Sequence, residues 1–441
     1  MKKKAVVLII LAFTILFFNQ VLVSAQETKP GFITGTVKGL LLKNGRVFYT
    51  RIPHARVRLE FTNFETQTRE DGKFLLSDIP PGEYEVEVLI AGEVPVNKTV
   101  IVKPVEINNA GVFTVYLAPP LELPTVKKGD IVASFLKEGN KKEQEGNKDS
   151  IEDRLLFYKP DKDYPYLEMV TDESPVWLAS NSEGTRLLVS TLNQGILLYD
   201  LTELKQAGSY EFNARVAEIY SNPQKNQFFI PYYSPTRTGI LKIDPQYSIP
   251  LKDYNPGIKG LIVAVAPIPE KNRLMAVLSL VKKGKIIGLD IESGALKQME
   301  NTGSLPMDLA YFPDMNELIV NNNLSKNIVF ADADTLKTKK TINLESKPGK
   351  ILLSKDQKYL FVTTPEKNRV VILYAPSKTI IKKLDVGNDP YQLKEFQNKI
   401  FVVNRKSGSF SIIDIQSLEV IRTSVPEQTG GIRGLEILGA D

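Results

Sequence analysis

The sequence predicts an all-β chain in two parts, a small N-terminal sandwich followed by a long array of four-stranded repeats. Three observations predict it. Apolar segments are short, rich in β-branched and aromatic residues, and bounded by turn residues. No stretch carries a convincing helical period. From Pro175 onward one unit recurs at intervals of about forty residues, the length of four short strands and their turns.

The first residues predict an address. Lys2, Lys3 and Lys4 precede an apolar run over 5–18, and Val23-Ser24-Ala25 offers small residues for cleavage before Gln26. A signal peptide is therefore expected at 1–25, with an uncleaved anchor as the alternative; the run is short for a bilayer span. The 441 residues include no cysteine, which points to an exported prokaryotic protein, periplasmic, extracellular or on the cell surface. Net charge is +5, or +2 without the three signal lysines, and this balance gives no reason to expect nucleic acid. No membrane span is expected after cleavage, and a monomer is expected.

Residues 30–119 predict the sandwich. Strand-like segments at 32–37, 55–61, 74–76, 84–89, 96–102 and 112–117 are separated by Asp71-Gly72, Pro80-Pro81-Gly82 and Asn108-Asn109-Ala110-Gly111. Gly35-Thr36-Val37, Glu70-Asp71-Gly72-Lys73-Phe74 and Ile79-Pro80-Pro81-Gly82-Glu83-Tyr84-Glu85-Val86 resemble the carboxypeptidase regulatory-like family, a transthyretin-type sandwich. The resemblance implies a non-catalytic spacer or adhesion module. Pro119-Pro120 and Pro124 mark a stiff joint at 120–129, since proline cannot enter a sheet centrally. The 137–148 run has no apolar residue and is expected to be a solvated insertion in the second domain, 130–441.

In the repeat, third strands are expected at 196–200, 240–244, 286–290, 328–332, 371–375 and 410–414, their ends spaced by 44, 46, 42, 43 and 39 residues. A four-stranded sheet that is apolar on both faces must be buried between neighbours, which a β-propeller achieves. One period before Asp200, Leu155-Leu156-Phe157-Tyr158-Lys159-Pro160 matches Val371-Ile372-Leu373-Tyr374-Ala375-Pro376 in type. A seventh blade is thus expected from 131–136, 155–159 and 166–170, its innermost strand supplied by 432–438 at the other end of the chain. Seven blades are expected, with six as the alternative count.

Asp385-Val386-Gly387-Asn388-Asp389-Pro390, the segment Asn398–Asn404, written Asn-Lys-Ile-Phe-Val-Val-Asn, and Ser411-Ile412-Ile413-Asp414 are similar to the YVTN-type, surface-layer-like propeller repeats, with degenerate copies at 358–364 and 317–321. The second and third blades depart from that pattern, at Phe228-Phe229-Ile230-Pro231 and Met275-Ala276-Val277.

No catalytic constellation stands out. His54 is the single histidine, so His- or Cys-built metal sites and haem ligation have little to use. Asp200, Asp244, Asp290, Asp332 and Asp414 recur at equivalent places and are expected to cap turns. Asp332-Ala333-Asp334 lacks the glycine and distal glutamate of a calcium loop. Trp177 is expected in the core. No catalytic, cofactor or metal residue is therefore assigned.

The loops joining second to third strands, at 193–195, 231–239, 282–285, 321–327, 365–369 and 404–409, leave a propeller on one face. They hold Arg237, Lys282, Lys283, Lys285, Lys326, Lys367, Arg369, Arg405 and Lys406, nine cations, against Glu366. Such sorting focuses a positive potential. The expected function is an exported, non-catalytic binding or interaction protein whose basic face meets a protein or an anionic glycan. The alternative is a propeller enzyme of lactonase or lyase type. Its catalytic groups would have to converge from innermost strands that read as mostly apolar.

Overall fold

The computed structural model describes residues 29–439 except 44–45, 92, 118–123, 137–152, 163, 172, 193–194, 212–213, 223–225, 235, 246–249 and 425–430. The expected signal peptide, the charged insertion and the first part of the proline-rich joint lie outside these residues. The chain is all-β; helix among the described residues is confined to three-residue 3₁₀ turns such as Pro269–Lys271. Contacts divide the chain into two units: residues up to Lys38 with Arg51–Val115, and Gly39–Thr50 with Tyr116–Asp441.

In the first unit, one sheet uses Lys73–Ile79 and Ile107–Tyr116 on either side of the first half of Gly31–Lys43. The other runs in the order Glu65–Gln67, Arg56–Leu59, Gly82–Leu89, Val96–Val102. Period-two alternation gives each a buried face: Phe74, Leu76 and Ile79 of one sheet meet Val57, Val86 and Val100 of the other. Hydrogen bonds from the Lys73 N–H to the Asp71 carboxylate (3.0 Å) and from the Gly72 N–H to the Arg69 carbonyl shape the predicted turn.

The second unit holds seven sheets, named I to VII in the order of their positions around the packing sequence. Sheet I takes Gly431–Ile437 from the end of the chain, then Ile131–Leu136, Arg154–Tyr158 and Leu167–Val170. Sheets II, III and IV begin at Pro175, Arg215 and Leu261; sheets V, VI and VII begin at Pro306, Ile351 and Pro390. Each of these six runs antiparallel through strands in sequence order, with first strands at one edge and fourth strands at the other. Sheet III splits its first strand into Arg215–Val216 and Tyr220–Asn222. The hairpin Gly39–Thr50, which the sequence boundary at 30–119 placed in the sandwich, belongs with the second unit. Its Arg46 and Val47 pair in parallel with Glu168 and Met169, and Leu40, Val47 and Tyr49 join the core between sheets I and II.

Strand burial explains the packing. Second and third strands such as Glu317–Asn322 and Gly195–Asp200 are buried at every position, so both sheet faces are covered. Fourth strands such as Thr338–Asn343 are mostly exposed. Apolar clusters fill the spaces between sheets I and II, II and III, III and IV, IV and V, V and VI, and VI and VII. A seventh cluster, with Phe135, Tyr158, Ile432 and Leu435 against Phe401 and Phe410, joins VII to I. Each sheet therefore buries both faces against two neighbours.

Four of the recurring aspartates, Asp200, Asp290, Asp332 and Asp414, end third strands and cap the turn that follows, whereas Asp244 lies one residue beyond the strand Thr238–Ile243. Oδ1 of Asp332 accepts the N–H groups of Asp334 (3.1 Å) and Thr335 (2.8 Å), and Oδ1 of Asp414 those of Gln416 (3.0 Å) and Ser417 (2.8 Å). Asp200 and Asp290 do the same.

Candidate functional site

An irregularity repeated in the first strands creates the site. Pairing between first and second strands shifts register at Pro175/Leu178, Ile262/Ala264, Pro306/Asp308, Pro390/Leu393 and Ile432/Gly434. Such a bulge leaves a ladder N–H unpaired and re-aims the side chains around it. In three of these sheets a buried polar side chain of the second strand takes that N–H, and in sheet VI Thr363 takes the N–H of the residue just before the first strand. Ser190 accepts from Trp177 (3.1 Å), Asn321 from Met307 (3.3 Å), Thr363 from Lys350 (2.7 Å) and Ser134 from Gly434 (2.8 Å). A side chain at Gly434 would start 2.2 Å from the Val176 carbonyl, so only glycine fits this close approach.

Residues on the first strands or directly beside them, as Lys350 is beside Ile351–Leu353 and Glu218 lies between the two halves of sheet III's first strand, then meet across the unit. The Lys350 ammonium, from sheet VI, lies 2.6 Å from Glu218 of sheet III and 3.4 Å from Asp308 of sheet V. Its hydrogen bond to the Tyr220 hydroxyl is 3.3 Å. The rings of Trp177, Tyr220 and Tyr391 stand 5.8, 5.8 and 5.9 Å from it, within cation–π range. Gln392 of sheet VII, 1% exposed, donates to Glu218 (3.3 Å) and accepts the N–H of Leu435 from sheet I (2.7 Å). Tyr220 reaches the Val263 carbonyl of sheet IV at 3.3 Å. All seven sheets thus contribute to one cluster.

Its electrostatics follow from burial. Desolvation alone would lower the Lys350 pKa, but the adjacent Asp308 and Glu218 carboxylates outweigh it and hold the pKa well above the ordinary lysine value. Burial raises Asp308, against the opposing pull of Lys350, and raises Tyr220 well above its ordinary value. The Asp308 carboxylate is further fixed by the Ile351 N–H at 3.0 Å. Lys350 is therefore a locked ammonium, unsuited to act as a base or nucleophile. Beside the cluster, Glu436 accepts from the Ser180 hydroxyl (2.8 Å) and pairs with Lys394 (2.7 Å).

The cluster lies between two different ends. First strands start near the loops that join second to third strands, and there Tyr391 stacks on Trp177 (centroids 5.6 Å apart) and under the Arg405 guanidinium (3.7 Å). Toward the other ends of the first strands two recesses open, of about 330 and 400 Å³. Both are lined by Glu218, Tyr220, Leu352, Leu353 and Lys355.

The residues expected to form the basic face fall into two groups. Arg237 pairs with Asp253 and bonds Tyr232; Arg369 pairs with Asp385 at 2.6 Å, and Arg405 with Asp389 at 3.2 Å. These three carboxylates lie outside the loops counted in the sequence and reduce the charge excess. Lys282, Lys283, Lys285, Lys326, Lys367 and Lys406 form no ion pair among the described residues, and all but Lys285, which is half-buried, are exposed. Lys350, Glu218 and Asp308 were missed because the first strands read as apolar. The available signal was a charge beside or within an apolar segment, at Asp308 in Pro-Met-Asp-Leu-Ala and at Lys350 before Ile-Leu-Leu. Trp177 is half-buried beside Tyr391, and His54 is an exposed turn residue with φ 58°, 3.2 Å from Glu70. Asp334 pairs with Lys271 (2.8 Å) rather than joining a carboxylate cluster.

No protein-family model matches this chain, and no match was found among curated proteins. The resemblances to carboxypeptidase regulatory-like and YVTN-type sequences therefore rest on their motifs. Among solved structures, the chain is similar to a functionally unknown protein from Desulfotomaculum acetoxidans DSM 771, at 16% identity and a TM-score of 0.53. The alignment covers 65% of this chain and 96% of that one. This likeness is one of fold.

Proposed function

We propose that the seven sheets are the blades of a seven-bladed β-propeller of the YVTN type, carried by a carboxypeptidase regulatory-like sandwich, and that the chain is an exported, non-catalytic binding protein. Packing of sheet VII on sheet I and the meeting of seven first strands at Lys350 support the propeller reading. The signal-like sequence at 1–25 supports export.

The observation that carries the binding reading is the Trp177–Tyr391–Arg405 stack beside loops bearing five exposed lysines that form no ion pair among the described residues. A guanidinium over an aromatic ring recognises carboxylate or sulfate groups while the ring covers apolar surface. Surrounding lysines raise the local concentration of anions. The partner is accordingly an anionic glycan or the acidic surface of a protein. A lactonase- or lyase-type enzyme would need a carboxylate free of a protein cation to act as a base, and Glu218 and Asp308 are both charge-paired with Lys350.

The test is retention on an immobilised sulfated polysaccharide, using the wild type and a Lys282→Glu/Lys283→Glu/Lys406→Glu variant. Salt-sensitive retention of the wild type, lost in the variant at unchanged Tm, is expected. Equal elution of the two proteins would refute the basic-face reading.

A further inference from the structure

The two recesses at the far ends of the first strands share five lining residues and one floor, and the proposed partner at the lysine-bearing loops does not use them. Each is within the size of a small-molecule site. Their walls mix charged side chains with apolar ones, Leu352 and Leu353 in both recesses and Val265, Ala266 and Leu393 in one. The floor is charged. Glu218 lies there with its side chain 15% exposed; one oxygen meets Lys350 and the other Gln392. A carboxylate oxygen can accept more than one hydrogen bond, so a ligand donor can reach Glu218 without displacing either partner.

The charge around the floor is unequal. Glu218, Asp308, Glu395 and Glu436 line the recesses, against Lys355 and Lys394 on the walls and Lys350 behind the floor. One negative charge is in excess. Glu218 is largely desolvated, and a desolvated carboxylate attracts an ammonium more strongly than it would in water. A carboxylate ligand would instead meet Glu218 directly.

We infer that this two-lobed recess binds a small organic ammonium ion, its head group donating to Glu218 and its short apolar body lying against Leu352, Leu353 and Leu393. The site is separate from the lysine-bearing loops, so an amine and an anionic partner bind at opposite ends of the first strands.

The experiment titrates the chain lacking residues 1–25 with n-butylammonium, and with n-butyrate and ammonium chloride at equal ionic strength, reading Tm and heat of binding. Saturable binding of n-butylammonium with a raised Tm, and no response to the other two, is expected. Glu218→Gln should weaken binding roughly tenfold, the worth of one charge-assisted contact. Because that change also touches Lys350, Leu353→Trp serves as the second variant: it fills both lobes, leaves the ion cluster intact, and should abolish binding. An equal response to n-butyrate, no response of the wild type, or wild-type affinity in Leu353→Trp each overturns the inference. Retention on the sulfated polysaccharide, measured on the same variants, should be unchanged, so failure here and failure of the basic-face reading are told apart.

Discussion

Sheets I and V have the same four-strand order but are assembled differently. Sheet V is drawn from one continuous stretch, Pro306 to Asn343, with each strand handed to the next by a short turn. In sheet I the first strand comes from Gly431–Ile437 and the second from Ile131–Leu136, so Ser134 and the Gly434 N–H meet across 300 positions. Yet Ser134 does in sheet I what Asn321 does in sheet V, accepting the N–H freed by the first-strand bulge. The difference teaches that the local geometry of a sheet is set by its own strand pattern, while its assembly depends on a distant segment. A sheet whose strands come from both ends of the chain carries the entropy of bringing those ends together.

The largest effect should come from breaking sheet I. Removing residues 431–441 strips Ile432, Leu435, Ile437 and Leu438, all at most 1% exposed. At about 1.5–3 kcal/mol each, the loss is roughly 6–12 kcal/mol, comparable with the stability of a whole domain. Thermal unfolding by circular dichroism should show a sharply lowered Tm or no cooperative transition; an unchanged Tm would mean that closure by this strand is not needed.

A smaller loss is expected at the shared cluster. Lys350→Met leaves Glu218 and Asp308 buried without their cation, at a cost of about 3–5 kcal/mol. The sign of its pH dependence is defined. Without Lys350, burial keeps the folded pKa of Asp308 above its unfolded value, so the variant is most stable below the unfolded pKa and loses stability as pH rises through the folded one. Acidification from neutrality should therefore narrow the Tm gap to wild type, and a gap that widens would contradict the cluster. Adding Glu218→Gln and Asp308→Asn should recover part of the loss at neutral pH.

Turns within a contiguous sheet should matter less. Asp332 is held well below the usual carboxylate range, first by Lys339 and then by the Thr335 N–H. Its stabilisation is full above the unfolded pKa of about 3.9 and is lost as pH falls toward the folded value. Asp332→Asn should flatten the acid limb of a Tm-against-pH curve, with Tm near neutrality lowered by a few degrees, as expected for a loss of about 1 kcal/mol. Smallest of all, Ile381→Thr on a fourth strand, at a position 46% exposed, should change stability by less than about 0.5 kcal/mol in chemical denaturation.

Much of this contrast was legible in the sequence. The turn aspartates, the strands of sheet I and its last-strand partner follow from a period near forty residues and from apolar segments that recur in type. The hairpin Gly39–Thr50 was not legible as part of the second unit, because its pairing with Leu167–Val170 depends on a partner over a hundred residues away. The candidate site was legible only in fragments. Trp177, Asp308, Lys350 and Gln392 sit in different repeats, and nothing local says that they converge on one point. The cationic loops were visible, whereas Asp253, Asp385 and Asp389, which balance three of the arginines, became visible only with the ion pairs.

The bulge glycine at Gly434 and its neighbours carry a consequence for synthesis. Ile131–Leu136 emerges early but has no edge partner until residue 437 has been delivered, so throughout elongation it presents unpaired backbone N–H and C=O groups. The order in which the chain is made thus delays its own completion until the last strand arrives.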